Sequence, residues 1–238
     1  MRHKAVVFDL FGTLVDNMTH AAYLAMMGEM ADAVGIPRKP FSALWTGTTD
    51  DRFRGKLGTL EDNLKHICAT AGVAPSPEGL ARAVRVRTDL NLSLLVPRAD
   101  AVETLTRLRA SGRKIGLLTD CTPEIPLHWP RTPFAPLVDA PVFSSETGTK
   151  KPDPKIYALV CERLGVAPAD CLYVGDGGSR ELTGAAAVGM APVLIRAQPV
   201  EDVLGHKSEA PTWTGPVVTS LSEVRRAARN STLWWAFK

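Results

Sequence analysis

Four short apolar runs, separated by helical segments, constrain this chain more than any other feature. The first, Lys4 to Phe8, is β-branched at Val6 and Val7 and stops at Asp9, with the turn-prone Gly12 close behind. A helical pattern from Asp100 to Ala110, with Val102, Leu105 and Leu108 at helical spacing and Gly112 at its end, leads into the second run, Lys114 to Leu118. The third, Cys171 to Val174, follows a helix over Asp153 to Leu164 that has Pro154 in its first turn and Gly165 as its stop. The fourth, Ala191 to Ile195, follows a small-residue helix over Arg180 to Val188 with Gly189 beyond it. Val217 and Val218 suggest one more short strand, Ser222 to Ala228 a closing helix, and Arg196 to Pro216 an irregular connection. Strands alternating with helices predict an α/β fold, a doubly wound parallel sheet of Rossmann-like type with helices on both faces.

Residues 17–96 break the alternation with helical spacing and almost no strand pattern, so they read as an all-helical insertion. The remaining segments, residues 1–16 and 97–238, form the α/β core. The insertion's first helix, expected to start near Asn17 and stop at Gly35, carries Met18, Met26, Met27 and Met30. Such a stripe serves either as an adaptable apolar wall over a substrate or as ordinary helix packing, and packing is the expectation. The insertion holds nine Lys or Arg against eight Asp or Glu, which gives it no electrostatic reason to seek a polyanion.

Composition removes several function classes. Of 238 residues, 45% are hydrophobic and 22% charged, as in ordinary globular proteins. No apolar run approaches the roughly eighteen residues of a membrane helix. The basic start at Arg2, His3 and Lys4 is followed too soon by Asp9 to resemble a signal peptide, so the cytoplasm is the expected compartment. A net charge of +3 is too small to imply a nucleic-acid groove or an anionic membrane surface, which leaves a small-molecule partner. Cys68, Cys121, Cys161 and Cys171 lack C-x-x-C spacing and are expected to be reduced. Trp234, Trp235 and Phe237 near the end read either as a homo-oligomer contact or, by preference, as packing on their own domain.

In an open parallel sheet, sites form beyond the carboxyl ends of the strands. Asp9, Thr119 and Asp176 end the first three runs, and Lys150 and Lys151 precede Pro152-Asp153-Pro154 at the mouth of a helix. Two carboxylates and a hydroxyl converging from separate strand ends can hold a divalent cation and a phosphate together, while an ammonium meets the same anion.

These segments together resemble the haloacid dehalogenase superfamily, whose members are mostly phosphohydrolases. Four motifs carry the resemblance in order: VVFDLFGTLVD from Val6, GLLTDC around Thr119, KKPDPKIY with Lys151, and YVGDGGSREL with Asp176 and Glu181. The resemblance implies Asp9 as nucleophile, Thr119 and Lys151 as groups on the phosphoryl oxygens, and substrate contacts from Phe11, Gly12 and Asp120. It implies Mg²⁺ held by Asp9, the backbone carbonyl of Phe11 and Asp176, with Glu181 as a supporting acid. It also places the helical insertion where the family most often carries a cap. For Glu181 a plainer role competes, since an acid opening a helix is favoured by the helix dipole alone. Gly177-Gly178 reads as tight-turn chemistry, and Cys121 as a bystander.

The chain departs from the pattern at Phe11. The family's phosphatases usually carry there an aspartate that protonates the leaving oxygen, and a phenyl ring cannot exchange a proton. General acid-base catalysis is typically worth about 10²–10⁴-fold, so the loss weighs most on poor leaving groups. The family's 2-haloacid dehalogenases also lack that aspartate, which opens a second reading in which Asp9 attacks a carbon bearing halide. They resemble Ser-Asn rather than Gly-Asp at the fourth motif, however, so Asp176 favours phosphate chemistry. A third reading, a catalytically degraded binding protein, conflicts with the intact Asp9, Lys151 and Asp176. Substrate identity depends on side chains of the insertion such as Trp45, Arg52 and Arg54, and Asp16 is a further candidate for the missing acid.

Overall fold

The computed structural model describes residues 3–196 and 208–228. The aromatic residues Trp234, Trp235 and Phe237 lie outside the described residues. Among the described residues six strands form one parallel sheet: β1 (Ala5–Phe8), β2 (Lys114–Thr119), β3 (Ala140–Phe143), β4 (Cys171–Gly175), β5 (Ala191–Ile195) and β6 (Val217–Val218). Their order is β3-β2-β1-β4-β5-β6. Strand β1 is central, with Ala5 in register with Lys114 on one side and Cys171 on the other. Val6 and Phe8 enter the core on one face of the sheet, and Ala5 and Val7 that on the other. Burial on both faces explains why the run is continuously apolar rather than alternating.

The expected strands are all present, and β3 is an addition. It is short and contains Pro141, which weakens its strand signature, and it occupies the sheet edge, where a missing N–H is tolerated. The chain order reverses at β1: β2 and β3 build outward to one side and β4, β5 and β6 to the other. The crevice beyond the carboxyl ends of β1 and β4 is therefore the topological switch point of the sheet.

Five helices fill the insertion: α1 (His20–Val34), α2 (Arg38–Gly47), α3 (Thr49–Phe53), α4 (Leu60–Thr70) and α5 (Pro77–Leu94). They enclose a core of their own, in which Met26, Met27 and Met30 pack with Phe41, Trp45, Leu64 and Ile67. Packing is thus the role of Met26, Met27 and Met30, while the partly buried Met18 packs at the edge of this core and also lines a cleft. Helix α1 begins three residues later than expected. Thr19 accepts a hydrogen bond from the Ala22 N–H and caps it, so Asn17 stays outside the helix. Val15 and Pro97 form an antiparallel bridge where the chain leaves and re-enters the core, and Arg98 pairs with Asp16 there at 2.9 Å.

The remaining helices are α6 (Ala101–Ala110), α7 (Glu124–His128), α8 (Ser144–Thr147), α9 (Pro154–Leu164), α10 (Glu181–Ala187) and α11 (Leu221–Ala227). No helix among the described residues is long and apolar enough to cross a membrane.

Candidate active site

Strand ends deliver the reactive groups. Asp9 follows β1 and Asp176 follows β4, so the parallel pairing of these strands brings both carboxylates to the switch point. Lys151 arrives from the loop between α8 and α9, where its backbone N–H donates to Asp120 Oδ1 at 3.0 Å. Its ammonium donates to Asp9 Oδ1 at 2.6 Å and to Glu181 Oε2 at 2.5 Å. All three of these groups are almost completely buried. Asp9, Asp176 and Glu181 each offer an oxygen within 4.8 Å of the others.

The local backbone explains how Glu181 reaches this cluster. Between Asp176 and Glu181, Ser179 and Arg180 both adopt left-handed conformations, with φ of 53° and 55°. Such a conformation costs roughly 1–2 kcal/mol per non-glycine residue, and the turn needs support. Glu209 supplies it, accepting from the backbone N–H groups of Leu182 (2.9 Å) and Thr183 (3.2 Å) at the start of α10. The N-terminus of α10 is therefore satisfied by Glu209, which leaves Glu181 free to turn inward. Glu181 Oε1 accepts from the Gly177 N–H at 2.9 Å, and Oε2 accepts from the Tyr173 hydroxyl at 2.8 Å as well as from Lys151. Its carboxylate lies over Gly175, where any Cβ would overlap it. Gly177, with φ of 90°, makes the tight turn expected of the doublet, while Gly178 donates its N–H to Asp176 Oδ1 at 3.0 Å.

Gly12 has φ of 73°, and a Cβ at this position would overlap Asp176 Oδ2. It is not among the residues lining the cleft, and its lack of a side chain makes room for Asp176. Asn17, which the sequence reading placed at a helix start, donates to Asp176 Oδ2 at 2.9 Å and lines the cleft. It was missed because its role depends on the chain turning before α1.

Electrostatics set the state of the cluster. Burial raises Asp9 to about 6 and Glu181 to about 8, against the opposing pull of Lys151. Burial pulls against the charge of Lys151, but Asp9 and Glu181 outweigh it and hold the ammonium well above the ordinary lysine value. Three carboxylates face one ammonium, so the set is two positive charges short of neutral when fully ionised. An all-oxygen donor set with that deficit suits a hard divalent cation. Asp176 is the least buried of the three carboxylates and Glu181 the most, so Asp9 and Asp176 are the more accessible to it.

A cleft lies between the strand ends and the helical insertion. The sheet side contributes Asp9, Phe11, Asp120, Cys121, Lys151 and Asp176, and the insertion Met18, Tyr23, Trp45, Arg52, Phe53 and Arg87. Phe11 and Asp120 thus stand where substrate contact was expected. Thr119 does not line the cleft; it is fully buried at the end of β2, and its hydroxyl has no hydrogen-bond partner among the described residues. Of the lysine pair, Lys151 enters the cluster and Lys150 pairs with Asp50 of α3 at 3.0 Å. Arg54 likewise pairs with Asp50, at 2.9 Å, and is absent from the lining, as is the exposed Asp16. Burial pushes the Cys121 thiol above its ordinary value, which leaves it un-ionised and a poor nucleophile despite its place in the lining.

A family model described as haloacid dehalogenase-like hydrolase matches residues 3–189. The chain belongs to this family. Within it, a glyceraldehyde 3-phosphate phosphatase of Methanopyrus kandleri is 34% identical over 211 residues, covering 84% of this chain and 87% of its own. A (S)-2-haloacid dehalogenase 4A of Burkholderia cepacia is 26% identical over 205 residues, covering 82% and 84%. Among solved structures, a HAD phosphatase from Thermococcus onnurineus superposes with a TM-score of 0.63 at 22% identity, covering 94% of this chain and 97% of that one. This haloacid dehalogenase-like hydrolase therefore has both phosphatases and dehalogenases among its relatives, and the discrimination falls to its own site.

Proposed function

We infer that the protein hydrolyses a small phosphomonoester in a Mg²⁺-dependent reaction that passes through an aspartyl-phosphate on Asp9. The observation that carries this reading is Asp176: a second carboxylate is held beside the nucleophile, in a cluster short of positive charge. A dehalogenase attacking carbon needs no cation beside its nucleophile. Asp9, Asp176 and the backbone carbonyl of Phe11 would hold the cation. Its chemistry there is to neutralise carboxylate and phosphoryl oxygens so that two anions can meet.

The side chains do the rest. An Asp9 oxygen bonds to phosphorus as the ester oxygen leaves with its bonding pair, and water then cleaves the acyl phosphate to restore Asp9 and release phosphate. Lys151 stabilises the phosphoryl oxygens, and electrostatic stabilisation of this kind is commonly the largest catalytic contribution. Glu181 and Tyr173 fix the ammonium in place. The helical insertion acts as a cap, closing the cleft against water while substrate is bound. The phenyl ring of Phe11 lines the cleft in place of an acid, so leaving groups that depart as anions are favoured.

Phe11 is also the specific observation in favour of the second reading, haloacid hydrolysis. Parallel assays of phosphate release from phosphomonoesters and halide release from 2-haloacids, each with Mg²⁺ and with excess chelator, separate the two. Phosphate release that chelator abolishes is expected, and chelator-insensitive halide release would replace the phosphatase reading.

A further inference from the structure

Arg52 is a buried charge that the chemistry at Asp9 does not use. It stands in α3, only 3% exposed, with its guanidinium carbon 3.8 Å from the centroid of the Trp45 ring. One nitrogen, Nη2, donates to the Trp45 carbonyl at 2.6 Å and to Thr49 Oγ1 at 3.0 Å. The Nε–H is buried without a carboxylate or carbonyl acceptor among the described residues, and the buried, neutral Tyr23 hydroxyl lies close enough to interact with the guanidinium without cancelling its charge. Both residues line the cleft that contains Asp9.

The nearby charges do not cancel. Arg87, also buried, takes Glu124 as its ion-pair partner at 3.4 Å, and Asn91 donates to the same Glu124 oxygen at 3.3 Å. No carboxylate pairs with Arg52 among the described residues. Two guanidinium groups against one glutamate leave this part of the cleft with one surplus positive charge. Burial, reinforced by Arg87, lowers Arg52 to about 10, which keeps it charged at neutral pH. A buried ion without a counter-charge is costly, and a ligand that brings the counter-charge relieves that cost.

We propose that Arg52 binds a carboxylate on the part of the substrate remote from the phosphoryl group, so that the preferred substrates are phosphorylated acids. One surplus charge matches a monoanionic carboxylate better than a second, dianionic phosphate. The flat guanidinium, oriented by Trp45, offers a planar donor edge of the kind that carboxylates accept. Phe11, Met18 and Phe53 line the same cleft, which suits a substrate whose two charged ends are joined by carbon. The proposal rests on the phosphatase reading for the other end of the molecule.

The test compares ω-carboxyalkyl phosphates of two to four carbons with their primary amides, which differ only in the remote charge. For the native protein kcat/KM should be about ten- to a hundredfold higher for the acid, the range expected of hydrogen bonds to a charged group. Arg52→Gln should bring the acid-to-amide ratio close to one, and Arg52→Lys, which keeps the charge but loses the fork, should fall between. A purely structural Arg52 would lower both rates together and leave the ratio unchanged, which would overturn the proposal. Should Arg52→Gln fail to fold by circular dichroism, the Arg52→Lys ratio decides. A second measurement needs no turnover: propionate at constant ionic strength should raise the melting temperature of the native protein more than propionamide does, and Arg52→Lys should reduce the difference. Propionate stabilisation without phosphate release from any ester would retain the carboxylate site and refute the phosphatase reading. Ester hydrolysis with a native ratio near one would do the reverse.

Discussion

Divalent-cation binding should be visible as a change in stability that depends on pH in a defined direction. Asp9 is raised to about 6 and Glu181 to about 8 in the folded protein, above the ordinary carboxylate values of 3.8 and 4.5. Between about pH 4 and 8 the folded state therefore holds protons that the unfolded chain has released, and folding stability should fall as pH rises through that window. Lys151 stays charged throughout and does not contribute to the slope. A divalent cation supplies the two missing charges and favours the ionised carboxylates, so Mg²⁺ should flatten the slope and stabilise more at pH 8 than at pH 5. At a Mg²⁺ concentration a hundredfold above Kd, mass action gives about 2.7 kcal/mol. In a chain of 238 residues each kcal/mol corresponds to roughly 2–4 °C, so the melting temperature should rise by about 5–10 °C. Differential scanning fluorimetry from pH 5 to 8, with Mg²⁺ or with chelator, reads this directly. Asp176→Asn should remove most of the Mg²⁺ shift as well as most phosphate release. A Mg²⁺ shift that is absent, or that is equal in the native protein and Asp176→Asn, would refute the assignment of the cation to this cluster.

Three further outcomes are expected. Replacing Phe11 with Asp should raise the ratio of alkyl to aryl phosphate turnover, up to the 10²–10⁴-fold typical of general acid catalysis, and a native protein with a flat leaving-group dependence would show that another residue already donates the proton. Lys151→Met should abolish measurable turnover and cost about 3–5 kcal/mol in urea denaturation, because it leaves Asp9 and Glu181 buried without their ammonium. Gly12→Ala and Gly35→Ala both place a Cβ on left-handed backbone, at φ of 73° and 76°, and should each cost about 1–2 kcal/mol from that source. Only the alanine at position 12 meets Asp176, whereas position 35 has nothing within 4 Å, so turnover per folded molecule should fall in the first variant and not in the second.

The parallel sheet and the identity of the chemical groups were legible in the sequence for a physical reason. A strand buried on both faces must be continuously apolar, so the polar residue that ends it stands out, as Asp9 does after Phe8 and Asp176 after Gly175. Helix boundaries at Asp153 and Gly165 were equally local, since an N-cap acceptor and a left-handed stop act within a few residues. Strand β3 was not legible, because an edge strand of four residues with a proline lacks the pattern that double burial imposes.

The sequence by itself determined which groups are available: Asp9 as a candidate nucleophile, Lys151 and Asp176 as charged groups to set beside it, and a phenyl ring where the family's phosphatases usually carry an acid. Tertiary structure decided what each is paired with. Glu181 turns inward because Glu209, 28 residues away, takes over the start of α10. Asn17 reaches Asp176 across 159 residues, and Arg52 keeps its charge uncompensated because Glu124, in another element, pairs with Arg87. Partners so distant along the chain leave no periodic or local trace, because their energies depend on separation in space, and that separation is set only when the insertion packs over the strand ends.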